Sequence, residues 1–308
     1  MPFTIVAFGE VLWDLLPSGQ FLGGAPFNFV YRVSNLGDRG IMISKLGADD
    51  LGRRAANIIG KLGMDRSCIQ WDSEHPTGTV PITFAPDGTA DITVNPNVAY
   101  DYIEPTPEAL AAVAAADCLC FGTLIQRRET SRATLQRLLA AFKGRLRLLD
   151  LNLRRNCWTP DSVKSSINRA DVLKLNDDEA TTIAPLYELG DSSLPSLAAG
   201  LLQKTSLSYV VITLGGSGAF AAARSGESVY ESAFDISLVD ALGSGDAFTA
   251  GFAHGLLSGW PLGRAVRYGN ALGGCVAAQR GATELLRLDD VERMLRDGRQ
   301  KKPDPRFS

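Results

Sequence analysis

The sequence predicts an α/β fold: a parallel sheet covered on both faces by helices, with a small second β-sheet beside it. Two observations carry this. Short apolar runs alternate with longer amphipathic ones along most of the 308 residues, which is the pattern of repeated βα units. Two hairpin-like stretches interrupt that alternation early in the chain. The length suits one large domain or one domain with a small appendage. A single domain over residues 1–308 is therefore expected, with the small sheet drawn from about residues 10–34 and 76–100.

The chain starts Met1-Pro-Phe-Thr-Ile-Val-Ala-Phe-Gly9, which reads as a buried first strand. Strand-like runs follow at 41–46, 118–121, 146–149, 172–175 and 210–213, after a first run at 3–8. Helix-like runs fall at 50–62, 107–116, 131–142, 194–204, 246–257 and 261–278. The second of these is alanine-rich and has high helix propensity. One hairpin pattern is 79–84 and 90–94 around Pro86-Asp-Gly-Thr89, an Asp-Gly turn. The other is 10–22, with Pro17-Ser-Gly19 at its centre. Paired into one sheet, the two have a face free to cover a site, as a lid does.

Composition excludes several classes. Hydrophobic residues make up 45% and charged residues 21%, an ordinary balance for a globular protein. No run approaches the ~18 apolar residues of a membrane span, and the N-terminal residues lack the marks of a secretory signal. A formal charge of −3 gives no basic field for nucleic acid or anionic lipid. The five cysteines are scattered, which fits a cytoplasmic protein. Cys118 and Cys120 share one side of a strand, where two small buried residues explain them better than a metal pair. The tail around Lys301-Lys-Pro-Asp-Pro-Arg306 reads as a frayed terminus.

The chemistry has to come from elsewhere than the common phosphate loops, since neither the P-loop nor the dinucleotide glycine fingerprint is present. With only His75 and His254, a histidine triad or zinc site is unsupported. The strongest local signal is Gly243-Ser-Gly-Asp246 at the start of a helical pattern. Glycines there leave backbone N–H groups open where the helix dipole favours negative charge. That arrangement suits a transferring phosphoryl group, and a carboxylate in the same turn can deprotonate a hydroxyl. A plain helix cap explains the same residues.

Four further segments stand out. Gly23-Gly-Ala-Pro-Phe-Asn28 permits close backbone approach and offers an amide to a polyol; upstream, Asp14 is a carboxylate in an apolar strand, either a diol acceptor or a solvated edge. Asp150-Leu-Asn-Leu-Arg154 lies at a strand's carboxyl end, where open α/β sheets bind ligands, and its arginine suits an anion or polyol. In Lys174-Leu-Asn-Asp-Asp-Glu179 the acids cap a helix, or Asn176 and Glu179 hold a magnesium shell through water. Thr213-Leu-Gly-Gly-Ser-Gly218 is a turn or a nucleotide contact.

Together and in this order, these segments resemble the ribokinase-type (PfkB) carbohydrate kinases over essentially residues 3 to 297. The family's N-terminal signature is similar to Gly23–Asn28 with Lys45-Leu-Gly-Ala-Asp-Asp-Leu-Gly52; its C-terminal signature is similar to Asp240-Ala-Leu-Gly-Ser-Gly-Asp246. Its Asn-x-x-Glu element is intact at Asn176 and Glu179. Gly9-Glu-Val-Leu-Trp-Asp14, the Gly-Gly-Ala-Pro-x-Asn form and Asp150-x-Asn-x-Arg154 with Trp158 look most like fructokinases.

The resemblance implies a three-layer α/β/α ribokinase-like domain with a β lid, using ATP and Mg2+ to phosphorylate a sugar. It makes Asp246 the base and Gly243, Ser244 and Gly245 the anion hole. Asp14, Gly24, Asn28 and Arg154 would contact the sugar, and Asn176, Thr213, Gly215, Gly218 and Asn270 the nucleotide. Glu179 would stand near the magnesium, and Asp240 with the loop near Gly281 beside a monovalent cation such as K+. It also implies a homodimer formed through the lid. Ala241 and Ser244 depart from the usual threonine and alanine but spare the base and the glycines; Leu151 replaces a proline common in fructokinases. The implied substrate is D-fructose, with 2-keto-3-deoxygluconate, ribose or a nucleoside as alternatives. A sugar-binding regulator that kept the fold is the reading from another class.

Overall fold

Burial along the first strand sets the architecture. In β1 (Thr4–Phe8), Ile5 and Ala7 enter one hydrophobic core while Val6 and Phe8 enter another, because successive side chains of a strand point to opposite faces. A strand buried on both faces needs helices on both. The computed structural model describes residues 2–84, 90–190 and 193–307. Next along the chain come β2 (Leu12–Leu16), β3 (Gly19–Gly23), α1 (Ala25–Asn35), β4 (Arg39–Gly47), α2 (Asp50–Lys61), β5 (Ile69–Asp72), β6 (Gly78–Phe84) and β7 (Ala90–Ile92). Then come α3 (Pro107–Ala114), β8 (Cys118–Phe121), α4 (Glu129–Ala141), β9 (Leu146–Asp150), α5 (Pro160–Ile167), β10 (Val172–Asn176), α6 (Asp177–Ile183), α7 (Leu194–Lys204) and β11 (Tyr209–Thr213). The hairpin β12 (Ala219–Ala223) and β13 (Ser228–Glu231) leads to α8 (Ser244–Leu257), α9 (Leu262–Ala277) and α10 (Leu288–Asp297).

Among the described residues the large sheet has nine strands in the order β13-β12-β11-β10-β9-β8-β1-β4-β5. Pairing is parallel from β5 to β11 and antiparallel at β12 and β13. Helices α1, α2, α8, α9 and α10 contribute to one core, and α3 to α7 to the other. The result is the expected three-layer α/β/α arrangement. Strand order reverses between β1 and β8, and in open α/β sheets ligands bind outside the carboxyl ends at such a switch point.

The second sheet has the order β3-β2-β6-β7. Trp13, 1% exposed, donates its indole N–H to the Leu51 carbonyl at 3.1 Å and so ties this sheet to α2. The turn expected at Pro86-Asp-Gly-Thr89 lies outside the described residues. One boundary is corrected: residues 25–34, expected with the small sheet, belong to α1 in the main layer. Pro26 sits in the first turn of that helix, where its missing N–H costs nothing. All five cysteines are free and buried, with Cys118 and Cys120 on the same face of β8. Among the described residues no helix is long and apolar enough to cross a membrane.

Candidate active site

Segments leaving the carboxyl ends of β1, β9, β10 and β11 carry Glu10, Arg154, Asn176 and Gly215. Facing them is the start of α8. Gly243 caps this helix at φ 76, a left-handed conformation that glycine adopts without a Cβ penalty. A Cβ there would meet that of Ala282 at 2.5 Å, so a neighbouring loop abuts the turn directly.

Asp246 lies in the first turn of α8 and is half-buried. Asn28, from α1, donates its amide N–H to Asp246 Oδ2 at 2.8 Å. The other amide atom, Asn28 Oδ1, is buried and has no partner. Burial, and then the Asp150 carboxylate, push the Asp246 pKa up to about 6; Lys174, the Asn28 hydrogen bond and Arg154 pull the other way. Lys174 and Asp150 open two of the segments singled out from the sequence, which gave neither a role of its own. They form a buried pair, Nζ to Oδ1 at 3.0 Å, and the Thr249 hydroxyl lies 3.0 Å from Asp150 Oδ2. Only the tertiary structure puts β9, β10 and α8 side by side, so periodicity gave no warning of this cluster.

A second group lies within electrostatic reach of Arg154. Asp14 on β2 is 7% exposed, and burial raises its pKa to about 6. Glu10, which the sequence reading did not single out, is 4% exposed, and burial raises its pKa to about 7. Arg154 lowers the pKa of Glu10, Asp14 and Asp246 alike, which places its charge among the three. Gly24 packs against Glu10 at φ 111, where a Cβ would stand 2.5 Å from the Glu10 carbonyl oxygen. Gly24→Ala is therefore expected to cost about 1–3 kcal/mol of stability through backbone strain. A thermal melt coinciding with that of the parent protein would show the backbone yielding instead.

On the other side of the α8 turn lies a cleft of about 380 Å³. Asn176, Thr213, Gly215, Gly218 and Asn270 all line it, together with Ser244, Gly245 and Lys174. Phe234, Ile236 and Leu238 give it an apolar wall that the sequence reading did not identify. Asn270 donates to the Glu231 carbonyl at 2.8 Å, fixing the cleft's edge to β13.

Two acids expected near ions are engaged by the backbone. Glu179 accepts from Leu153 N–H at 2.7 Å and from Asn176 N–H at 2.9 Å, while Asn176 Oδ1 accepts from Glu179 N–H at 2.7 Å. This is a reciprocal capping box at the start of α6. Asp240 accepts from Leu242 N–H at 2.9 Å and Gly281 N–H at 3.1 Å. Among the described residues no group of three acids, histidines or cysteines could hold a metal. Both histidines are bonded to aspartates, His75 to Asp72 and His254 to Asp38.

The three-layer sheet, with buried carboxylates, a glycine turn and a cleft gathered at its switch-point end, has the fold of ribokinase-like solved structures. Among them, a ribokinase II of E. coli superposes with a TM-score of 0.81 at 20% identity, covering 94% of this chain and 98% of that one. Residues 18–288 match the profile of the pfkB family carbohydrate kinases, and the chain belongs to that family of sugar kinases. It is 31% identical to the 2-dehydro-3-deoxygalactonokinase of Haloferax volcanii, over 97% of this chain and 98% of that one. It is 29% identical to a fructokinase of Klebsiella pneumoniae, over 94% and 99%. Among solved structures, the fructokinase of Xylella fastidiosa with bound ATP superposes with a TM-score of 0.82 at 19% identity, covering 96% of this chain and 98% of that one.

Proposed function

We propose that this kinase transfers the γ-phosphate of ATP to a hydroxyl of D-fructose, giving fructose 6-phosphate, with Asp246 as the base. One observation carries the reading. Asn28 gives its N–H to Asp246 and keeps a buried, unpartnered Oδ1 beside it. A buried acceptor without a donor is costly, and a sugar hydroxyl would satisfy it.

The reading assigns the region of Glu10, Asp14 and Asn28 to the sugar and the cleft to the nucleotide. Glu10, Asp14 and Asn28 offer acceptors to a polyol, with Arg154 as the cation among them. The acceptor oxygen attacks the γ-phosphorus as its proton passes to Asp246, and the bond to the β-phosphate oxygen breaks, releasing ADP. The amides of the Gly243–Gly245 turn and the Lys174 ammonium face the charge that moves. Magnesium, held by phosphates and water with Glu179 at one remove, would supply charge neutralisation. Asp240 and the Gly281 loop are the proposed place for a monovalent cation. The four-stranded sheet is the proposed lid, excluding water from the transfer.

A second reading has its own support. Arg154 makes no ion pair among the described residues, and a 2-keto-3-deoxy sugar acid would bring a carboxylate to it. A coupled ADP-release assay across fructose, 2-keto-3-deoxygluconate, its galacto isomer, ribose, adenosine and inosine separates the possibilities. The highest kcat/KM is expected with fructose. A keto acid exceeding it moves the assignment to the second reading, and no ADP release with any acceptor leaves a sugar-binding regulator.

A further inference from the structure

Arg32 is fully buried, yet no carboxylate among the described residues stands within ion-pair distance of it. A buried charge with no counter-ion in contact is strongly disfavoured; burial pulls this guanidinium below its ordinary pKa, with Glu284, beyond ion-pair distance, pulling the other way. What holds it is two backbone carbonyls and one side-chain amide oxygen. One terminal nitrogen donates to the Glu284 carbonyl at 2.8 Å and to Asn35 Oδ1 at 3.2 Å; the other donates to the Ala282 carbonyl at 2.6 Å. Nε, also buried, has no partner. A neutral apolar side chain would fill the same space without the desolvation penalty, so the charge calls for an account beyond packing.

The residues at each end of this contact supply one. Ala282 is the residue against which Gly243 packs. Next to it, Gly281 donates its N–H to Asp240. Arg32 itself lies one helical turn after Asn28 on α1, and residues four apart share a helix face. A single rigid helix thus grips the α8 turn twice, with Asn28 holding Asp246 and Arg32 holding the loop that backs Gly243.

We propose that Arg32 is a positioning residue: it clamps the 282–284 loop against Gly243 and thereby keeps the Gly243-Ser-Gly245 amides and Asp246 in register with the bound substrates. This rests on the reading of that turn as the site of phosphoryl transfer. Arg32 touches neither substrate, so its loss is felt in turnover and not in binding. Misplacing oriented groups by a fraction of an ångström lowers rate with little change in ground-state affinity.

The test uses the whole chain with Arg32→Met, which nearly keeps the volume, and Arg32→Ala, which opens a guanidinium-sized space. Arg32→Met is expected to lower kcat by at least about tenfold while both KM values stay within about twofold. In Arg32→Ala, guanidinium chloride well below unfolding concentrations restores part of kcat, whereas choline chloride at the same concentration does not. A folded Arg32→Met protein within twofold of parental kcat overturns the proposal, as does an Arg32→Ala protein whose kcat ignores guanidinium. An Arg32→Ala protein unfolded without guanidinium and active with it still supports the clamp. The underlying reading is tested separately: if Asp246→Asn keeps its turnover, the assignment of the turn fails whatever Arg32 does.

Discussion

Asp246→Asn is expected to lower kcat by about 10²–10⁴-fold, the usual contribution of a positioned general base, and to leave nucleotide binding nearly unchanged. The cleft proposed for the nucleotide is lined by other residues, so removing this carboxylate leaves its walls intact. Steady-state rates with nucleotide titration by calorimetry check both halves, and near-parental turnover would remove Asp246 as the base. The pH dependence follows from the pKa of about 6. A base must be unprotonated, so kcat/KM of the parent protein falls about tenfold per pH unit below that value.

The same shift has a stability consequence with a definite sign. The folded state binds the Asp246 proton more tightly than the unfolded chain does, because burial raises the pKa from 3.8 to about 6. This group's contribution to stability therefore falls as pH rises through that window. At neutral pH the charged carboxylate opposes folding, and Asp246→Asn is expected to melt higher than the parent. That advantage should vanish below pH 4.

The second large effect is at Lys174. Its ammonium lines the cleft proposed for the nucleotide while bonded to buried Asp150. Removing one partner of a buried ion pair typically costs about 3–5 kcal/mol, since the other charge is left uncompensated. Lys174→Met is therefore expected to lower both thermal midpoint and kcat. The acid limb of its pH profile should move upward, because Lys174 holds the Asp246 pKa down. Adding Asp150→Asn separates the two causes. The double variant removes the orphaned charge and is expected to regain most of the lost thermal stability, yet kcat remains low because the cleft still lacks its cation. Recovery of kcat alongside stability would mean that the pair is structural only.

Much of the fold was legible because burial on two faces leaves continuous apolar runs. The strands β1, β4, β8, β9, β10 and β11 were all read close to their observed limits. The hairpin β12–β13 was missed, since Ala219-Phe-Ala-Ala-Ala223 carries little of the β-branched signal. Helix α5 was also missed, as its eight residues from Pro160 to Ile167 are too short for periodicity to show. Residues 25–34 were expected with the small sheet and not as α1, because Gly-Gly-Ala-Pro reads as loop until Pro26 is placed in a first turn.

The turn before α8 and its acid, the amide of Asn28 and the glycines after β11 could be singled out from the sequence alone. Each is a local chemical type at a strand or helix end, where the backbone itself exposes polar groups. Their arrangement could not be read the same way. That Asn28 meets Asp246 across 218 residues, that Lys174 neutralises Asp150, and that Arg32 reaches the loop behind Gly243 are long-range facts. No periodicity encodes them, because a charged residue on a strand or helix looks solvated until packing buries it. The sequence determined which groups are available for phosphoryl transfer. Packing of α1, α8 and the carboxyl ends of the sheet decided how they are aimed and charged, since distance and desolvation exist only in the folded chain.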